Sequence, residues 1–181
     1  MMEFHYELDR DNRIVDVDEA WCAFAAENDC ESLTRDKVLG LPLAPFLAGW
    51  NVMELYAAVF DRVRARQIAV TIPFRCDSPN GRRYMELEIA PRPEGRLHLT
   101  GHLVRSVAHP RIPLLDLKQR RNSQWRIICS ICRRLKMPEG RWLEIEEALD
   151  DPYAIPAEGL PCLSHDVCPT CVAMMRGLAA P

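Results

Sequence analysis

The sequence predicts an α+β fold: a five-stranded antiparallel sheet with flanking helices, followed by a small C-terminal lobe organised by cysteines. Three observations predict it. Strand-period alternation occurs in two short segments near the start and in three segments between residues 68 and 107. Helical periodicity falls between those two groups, over residues 18–66. Two Cys-x-x-Cys pairs, Cys129–Cys132 and Cys168–Cys171, stand beyond the last predicted sheet strand. With 181 residues, 48% of them hydrophobic and 27% charged, the chain can bury a real core and lacks the composition of a disordered one.

The first strand is expected over Phe4 to Leu8 and the second over Ile14 to Val17, joined by the polar turn Asp9 to Arg13. Asp18 suits an N-cap for a helix running to Asn28, with Trp21, Phe24 and Ala25 on its buried face. Val38-Leu39-Gly40 and Leu41 to Gly49 read as turns and short helical pieces. Asn51, with Glu54 three residues on, matches a capping box. The helix it opens should run to Arg66, burying Val52, Leu55, Val59 and Val63 and exposing Arg62, Arg64 and Arg66. Ile68, Val70, Ile72 and Phe74 then line one face of a strand. Pro73 inside it cannot donate to a ladder, which assigns that strand to a sheet edge. After the turn Ser78-Pro79-Asn80-Gly81, Met85, Leu87 and Ile89 alternate with Glu86 and Glu88. A second turn, Pro91 to Gly95, leads to the last strand, Leu97 to Val107. There Leu97, Leu99 and Leu103 oppose His98, Thr100 and His102.

This order resembles the PAS domain family. The resemblance is carried by the opening hairpin Tyr6 to Val17, the Val38-Leu39-Gly40 turn and the long helix followed by three strands, and it covers about Phe4 to Ala108. It implies a five-stranded antiparallel sheet cupping several short helices, with the strand after the long helix at an edge. It leaves the ligand open, because one fold hosts many functions. Neither haem nor flavin is expected. The segment 51–66 has no histidine where haem-binding relatives place their axial ligand, and the Asn-Cys-Arg-Phe motif of flavin photosensors is absent. Trp21, Phe24, Tyr56 and Phe60 could line a small-molecule pocket or simply form the core.

The expected organisation is a PAS-like domain over 1–109, a basic connector over 110–128 and a metal-binding lobe over 129–181. Residues 118–141 carry eight basic side chains against the single acid Glu139, a net +7, which leaves about −10 for the rest of a chain of net charge −3. Between the cysteine pairs, Trp142 to Leu149 suggests a helix with Trp142, Ile145 and Leu149 on one face, followed by a proline-containing loop, Asp151 to Pro161. Pro169 favours a helix start that places Cys168 at the N-cap and Cys171 in the first turn.

Four thiolates suit one tetrahedral zinc ion, and the two-residue spacing lets both sulfurs of a pair reach it. The helix start and the basic flank would lower thiol pKa values and partly offset the charge of about −2 on a zinc tetrathiolate. The pattern Cys129-x-x-Cys132, Gly140-Arg141-Trp142 and Ser164-His165-Asp166-Val167-Cys168-Pro169-Thr170-Cys171 is similar to tails that follow PAS domains in some bacterial sensory proteins. His165 is the candidate substitute or neighbouring ligand, with Cys162 after it, whereas His98 and His102 lie about 13 Å apart along a strand and are not expected to share an ion. Alternatives that four cysteines leave open are an iron–sulfur cluster and a thiol redox switch.

No signal peptide and no apolar run of about 18–20 residues is evident, so a cytoplasmic, non-membrane protein is expected, in which eight cysteines do not form a disulfide framework. No catalytic triad, carboxylate pair or phosphate loop stands out, so the chain is not expected to be an enzyme. No kinase, cyclase or helix-turn-helix segment follows Cys171 within these residues. Signalling is therefore expected to pass through a homodimer or a protein partner. Net acidity argues against nucleic acid, and only the +7 segment speaks for it.

Overall fold

The protein is described by a computed structural model covering residues 2–47, 49–151, 154–155 and 159–180. The N-terminal hairpin consists of β1 (Glu3–Leu8) and β2 (Ile14–Val17). Helices α1 (Glu19–Glu27), α2 (Arg35–Val38) and α3 (Trp50–Arg66) follow, then β3 (Val70–Arg75), β4 (Gly81–Pro91) and β5 (Leu97–Ala108). The five strands form one antiparallel sheet in the order β2-β1-β5-β4-β3. This is the PAS-like architecture that the element order implied. Pro73 sits on edge strand β3, opposite Glu86, so its missing N–H leaves no donor absent from the sheet interior.

Alternation decides the faces. Leu8, Ile14, Ile72, Leu87, Ile89, Leu97 and Leu99 are buried against Val52, Tyr56, Val59, Phe60 and Val63 of α3. The opposite face pairs β1 with β5 residue by residue: His102 Nδ1 lies 2.9 Å from Glu3, His98 Nδ1 3.3 Å from Glu7, and His5 Nδ1 3.1 Å from the Thr100 hydroxyl. His98 and His102 thus serve separate glutamates. On the inner side Gly101 faces the Phe4 ring so closely that a Cβ would lie 2.1 Å from it.

Asp18 caps α1 as expected, accepting from the Trp21 N–H at 2.7 Å. Of the face expected to be buried only Ala25 is fully so, with Trp21 and Phe24 half-buried. Three further expectations are corrected. Helix α3 begins at Trp50 with Gly49 (φ 107°) as its cap, so Asn51 lies inside the first turn and is not the N-cap. Arg64 is not exposed: it folds back to donate to the carbonyls of Gly95 and Asp9 and to Asn12 Oδ1. Ile68 precedes β3 and is 64% exposed, because α3 ends in a left-handed Gln67 and the chain has not yet entered the sheet.

Beyond the sheet a second, four-stranded sheet runs β8-β7-β6-β9. It comprises β6 (Trp125–Cys129), β7 (Leu135–Lys136), β8 (Trp142–Leu143) and β9 (Cys162–Asp166), with β6 parallel to β9. Helix α4 (Ile145–Leu149) lies between β8 and β9, and α5 (Pro169–Ala179) ends the described chain. Trp142 therefore lies on a strand and outside α4, whose five residues are too few for the helical face expected of it. Of the loop expected over 151–161, residues 152, 153 and 156–158 lie outside the described residues. Ile112, Leu114 and Leu115, before β6, pack with Ile128, Leu135, Met137 and Ile145 in a separate small core.

Candidate metal centre

The β6–β7 connection is a tight turn. The Cys129 N–H donates to the Arg134 carbonyl at 2.8 Å, and the Arg133 N–H donates to the Cys129 carbonyl at 3.0 Å, with Arg133 left-handed at φ 64°. That turn presents Cys129 and Cys132. The second pair arises as the sequence implied: Pro169 opens α5, Cys168 is its N-cap, and Cys171 lies in its first turn. Parallel pairing of β6 with β9 brings the two segments side by side, with Cys129 opposite Asp166.

All four sulfurs lie within 4.8 Å of one another. Cys132 Sγ and Cys168 Sγ, from different pairs, are 3.6 Å apart. A tetrahedral ion with metal–sulfur distances of about 2.3 Å requires sulfur–sulfur edges of about 3.8 Å. The donor set, spacing and burial fit such an ion. Cys129, Cys168 and Cys171 are buried and Cys132 half-buried. His165 and Cys162 do not belong to the cluster; the Cys162 thiol donates to the Asn122 carbonyl at 3.4 Å.

The site is electrostatically prepared for anionic sulfur. Hydrogen bonds from the Cys132 and Cys171 thiols, helped by the backbone N–H groups of Cys132 and Cys168, hold the Cys129 thiol far below its ordinary value. The Cys168 N–H donates to Cys129 Sγ at 3.4 Å. Donation to Cys129 correspondingly pushes Cys132 up to about 12 and Cys171 upward as well. A cation bound by these sulfurs would displace their protons.

The centre sits against the PAS-like part. Cys129, Ile131, Val167, Cys168, Cys171 and Met175 share one hydrophobic core with α3 and the large sheet. Helix α5 packs along α3. Asn51 Nδ2 donates to Asp166 Oδ1 at 2.6 Å, so the residue expected to cap α3 tethers the lobe instead. Gly49 approaches so near that a Cβ there would lie 3.0 Å from the His165 carbonyl oxygen. His165, predicted as a substitute ligand, contributes this backbone contact, and burial followed by the charge of Arg133 pushes its pKa down.

A polar seam went unforeseen. Arg75 is bound to Asp77 and, at 2.5 Å, to Glu144 of the lobe; Arg82 reaches Glu146 at 2.5 Å, and Arg134 reaches Glu144 at 2.9 Å. The Arg75 N–H donates to the Ile131 carbonyl at 2.7 Å, continuing β3 toward the cysteine turn. Much of the basic stretch is likewise engaged internally: Arg121 donates to three carbonyls and Lys118 pairs with Asp29.

The large sheet and its helices also enclose a cavity of about 310 Å³, lined by Tyr6, Trp21, Phe24, Phe46, Tyr56 and Leu87 among others. Phe60, expected with them, lines instead a neighbouring groove on α3 that shares Leu43, Leu47 and Tyr56 with the cavity. Among the described residues no helix is long and apolar enough to cross a membrane.

No family model matches the chain, and no curated protein matches it. Among solved structures it is similar to the photoactive yellow protein domain of the sensor histidine kinase Ppr from Rhodospirillum centenum, with 10% identity and a TM-score of 0.44 over 56% of this chain and 92% of that one. It is similar also to a domain of an HTR-like protein from Haloarcula marismortui, with 11% identity and a TM-score of 0.43 over 58% of this chain and all of that one. A third is a domain of a sensory box sensor histidine kinase/response regulator from Geobacter sulfurreducens, with 17% identity and a TM-score of 0.41 over 56% of this chain and 82% of that one.

Proposed function

We propose that the chain is a cytoplasmic PAS-like sensory or regulatory module, a binding protein and not an enzyme, whose C-terminal lobe is closed by one structural zinc ion on Cys129, Cys132, Cys168 and Cys171. The observation that carries this reading is the convergence of four sulfurs, from two segments 35 residues apart, to within 4.8 Å in the core beside α3. A closed four-thiolate site leaves no position for a substrate, which favours a folding role. The aromatic cavity offers room for a small molecule at the lower end of ligand-pocket volumes. Burial pushes the Tyr56 phenol up to about 12, so it stays a neutral hydrogen-bond donor there. Output would pass through a protein partner or a second copy of the chain.

Metal analysis of protein purified with reductant and without chelator tests the zinc reading. One zinc per chain supports it, iron with sulfide assigns a cluster instead, and absence of metal removes it. A second reading, a thiol redox sensor, is favoured by the 3.6 Å approach of Cys132 to Cys168. Peroxide would take two electrons from those two thiols, forming one disulfide and two waters, and the metal would leave. Retention of the metal and of every titratable thiol after peroxide treatment rejects it.

A further inference from the structure

Arg133 follows the first cysteine pair, and two features set it apart. Its backbone is left-handed, where a Cβ is disfavoured and glycine is the usual choice. Its guanidinium carries five N–H donors, yet the structure gives it no ion pair or hydrogen bond among the described residues, and Nε is fully buried without a partner. Native proteins seldom leave such a donor unpaired. Neighbouring arginines do not share this condition: Arg121, Arg134 and Arg141 all have carbonyl or carboxylate partners.

The side chain lines a cleft of about 320 Å³ between the cysteine turn, the end of β3 and the end of α1. Of the three carboxylates that line the cleft, Glu27, Asp29 and Asp77, two are engaged by other cations. Asp77 is bound to Arg75 and accepts from the Arg83 N–H, and Asp29 is paired with Lys118. Phe74, Pro79, Leu115 and Leu117 supply apolar wall.

We propose that this cleft binds a small organic monoanion, a carboxylate on a compact apolar body, and that Arg133 is the residue that recognises it. A planar guanidinium matches a carboxylate through two parallel N–H···O bonds. One unpaired positive charge calls for one negative charge. A dianionic phosphate would face Asp77, Asp29 and Glu27 around the same cleft. The nearby thiolate cluster supplies negative potential, but none of its sulfurs accepts a hydrogen bond from Arg133. The cleft adjoins the aromatic cavity, with Asn28, Phe74 and Cys76 lining both, but Arg133 lines only the cleft, and the site does not depend on which metal the cysteines hold.

The test is calorimetric titration of the metal-loaded full chain with benzoate, acetate and inorganic phosphate. Saturable benzoate binding, tighter than acetate or phosphate, is expected. Arg133→Gly should weaken it at least tenfold while leaving metal content and melting temperature intact, because glycine relaxes the left-handed turn. Arg133→Lys, which keeps the charge without the fork, should fall between the two. No saturable benzoate binding to the unaltered chain overturns the proposal, as does unchanged affinity in Arg133→Gly. If Arg133→Gly sheds its metal or melts early, Arg133 is a counter-charge for the cysteines and the proposal also fails.

Discussion

Replacing Cys168 by serine tests the proposed metal centre. Serine has nearly the size of cysteine and is itself a favoured N-cap, so α5 keeps its start while the site loses one of its four sulfurs. Structural zinc in small thiolate sites contributes about 10–16 kcal/mol. Shared equally among four ligands, that is about 2.5–4 kcal/mol per sulfur, or an affinity roughly 10²–10³-fold weaker at about 1.4 kcal/mol per tenfold. For a chain of this size about 1 kcal/mol corresponds to about 2–4 °C, so the melting temperature should fall by roughly 5–15 °C. The loss should spread beyond the lobe, because Cys168, Cys171 and the fully buried Met175 share a core with Val52 and Val59 of α3. The assay is metal per chain by mass spectrometry, together with a circular-dichroism melt with and without chelator. Cys162→Ser, which alters a thiol outside the cluster, is the control and should retain both metal and melting temperature. A Cys168→Ser protein that keeps one metal per chain and melts unchanged would refute the structural role, and so would an unaltered chain whose melt ignores the chelator.

Other positions give equally direct tests. Asn51→Asp should be harmless if residue 51 capped α3, but here it would set a carboxylate against Asp166 at 2.6 Å, so thermal melting should show a loss of about 1–2 kcal/mol. Gly101→Ala drives a methyl into the Phe4 ring and should cost about 1–3 kcal/mol. Combining it with Phe4→Leu should recover part of that loss in a double-mutant cycle, and strict additivity would contradict the contact. Burial pushes the Glu144 carboxyl up, but hydrogen bonds from Arg134 and Arg75 outweigh this and hold it below its ordinary value. Glu144→Gln should therefore cost about 1.5–3 kcal/mol at pH 7. Because the folded value is depressed, that contribution is present above about pH 4.3 and is lost as the pH falls through the folded value. The melting gap between the two proteins should close on acidification, and a widening gap would contradict the pairing.

What was legible in the sequence was what local spacing encodes. Met85, Leu87 and Ile89 alternate and are buried, Pro73 lies on an edge, and Pro169 begins a helix, because period and proline geometry need no distant partner. The convergence of the four cysteines was legible for the same reason, as two residues three positions apart fix each half of the cluster. What escaped depends on chain segments far apart. Asn51 and Glu54 carry capping-box spacing, yet α3 is capped at Gly49 and Asn51 is engaged by Asp166, 115 residues away. The pairing of Arg75 with Glu144 joins positions 69 residues apart, and no pattern around either residue marks the other. Trp142 was misplaced because a short apolar run beside a five-residue helix fits either period.

Helix α3 is where these features meet, and its position constrains how such a module could work. One face carries Val59 and Val63 into the sheet core, Tyr56 lines the aromatic cavity, and the N-terminal turn is fixed to the cysteine lobe by Asn51 and by the close approach of Gly49 to His165. Tyr56 lines the cavity and follows Asn51, the residue held by the lobe, by about one and a half turns of the same helix. If binding in the cavity or a change at the cysteines shifts α3, linkage requires the other to feel it by the same factor. A cavity ligand that weakens metal affinity tenfold must itself bind tenfold more weakly to the metal-loaded chain than to the metal-free one. The shared core supplies a route for such coupling, because Cys129, Cys168 and Met175 pack in the same cluster as Val52, Tyr56 and Val59 of α3.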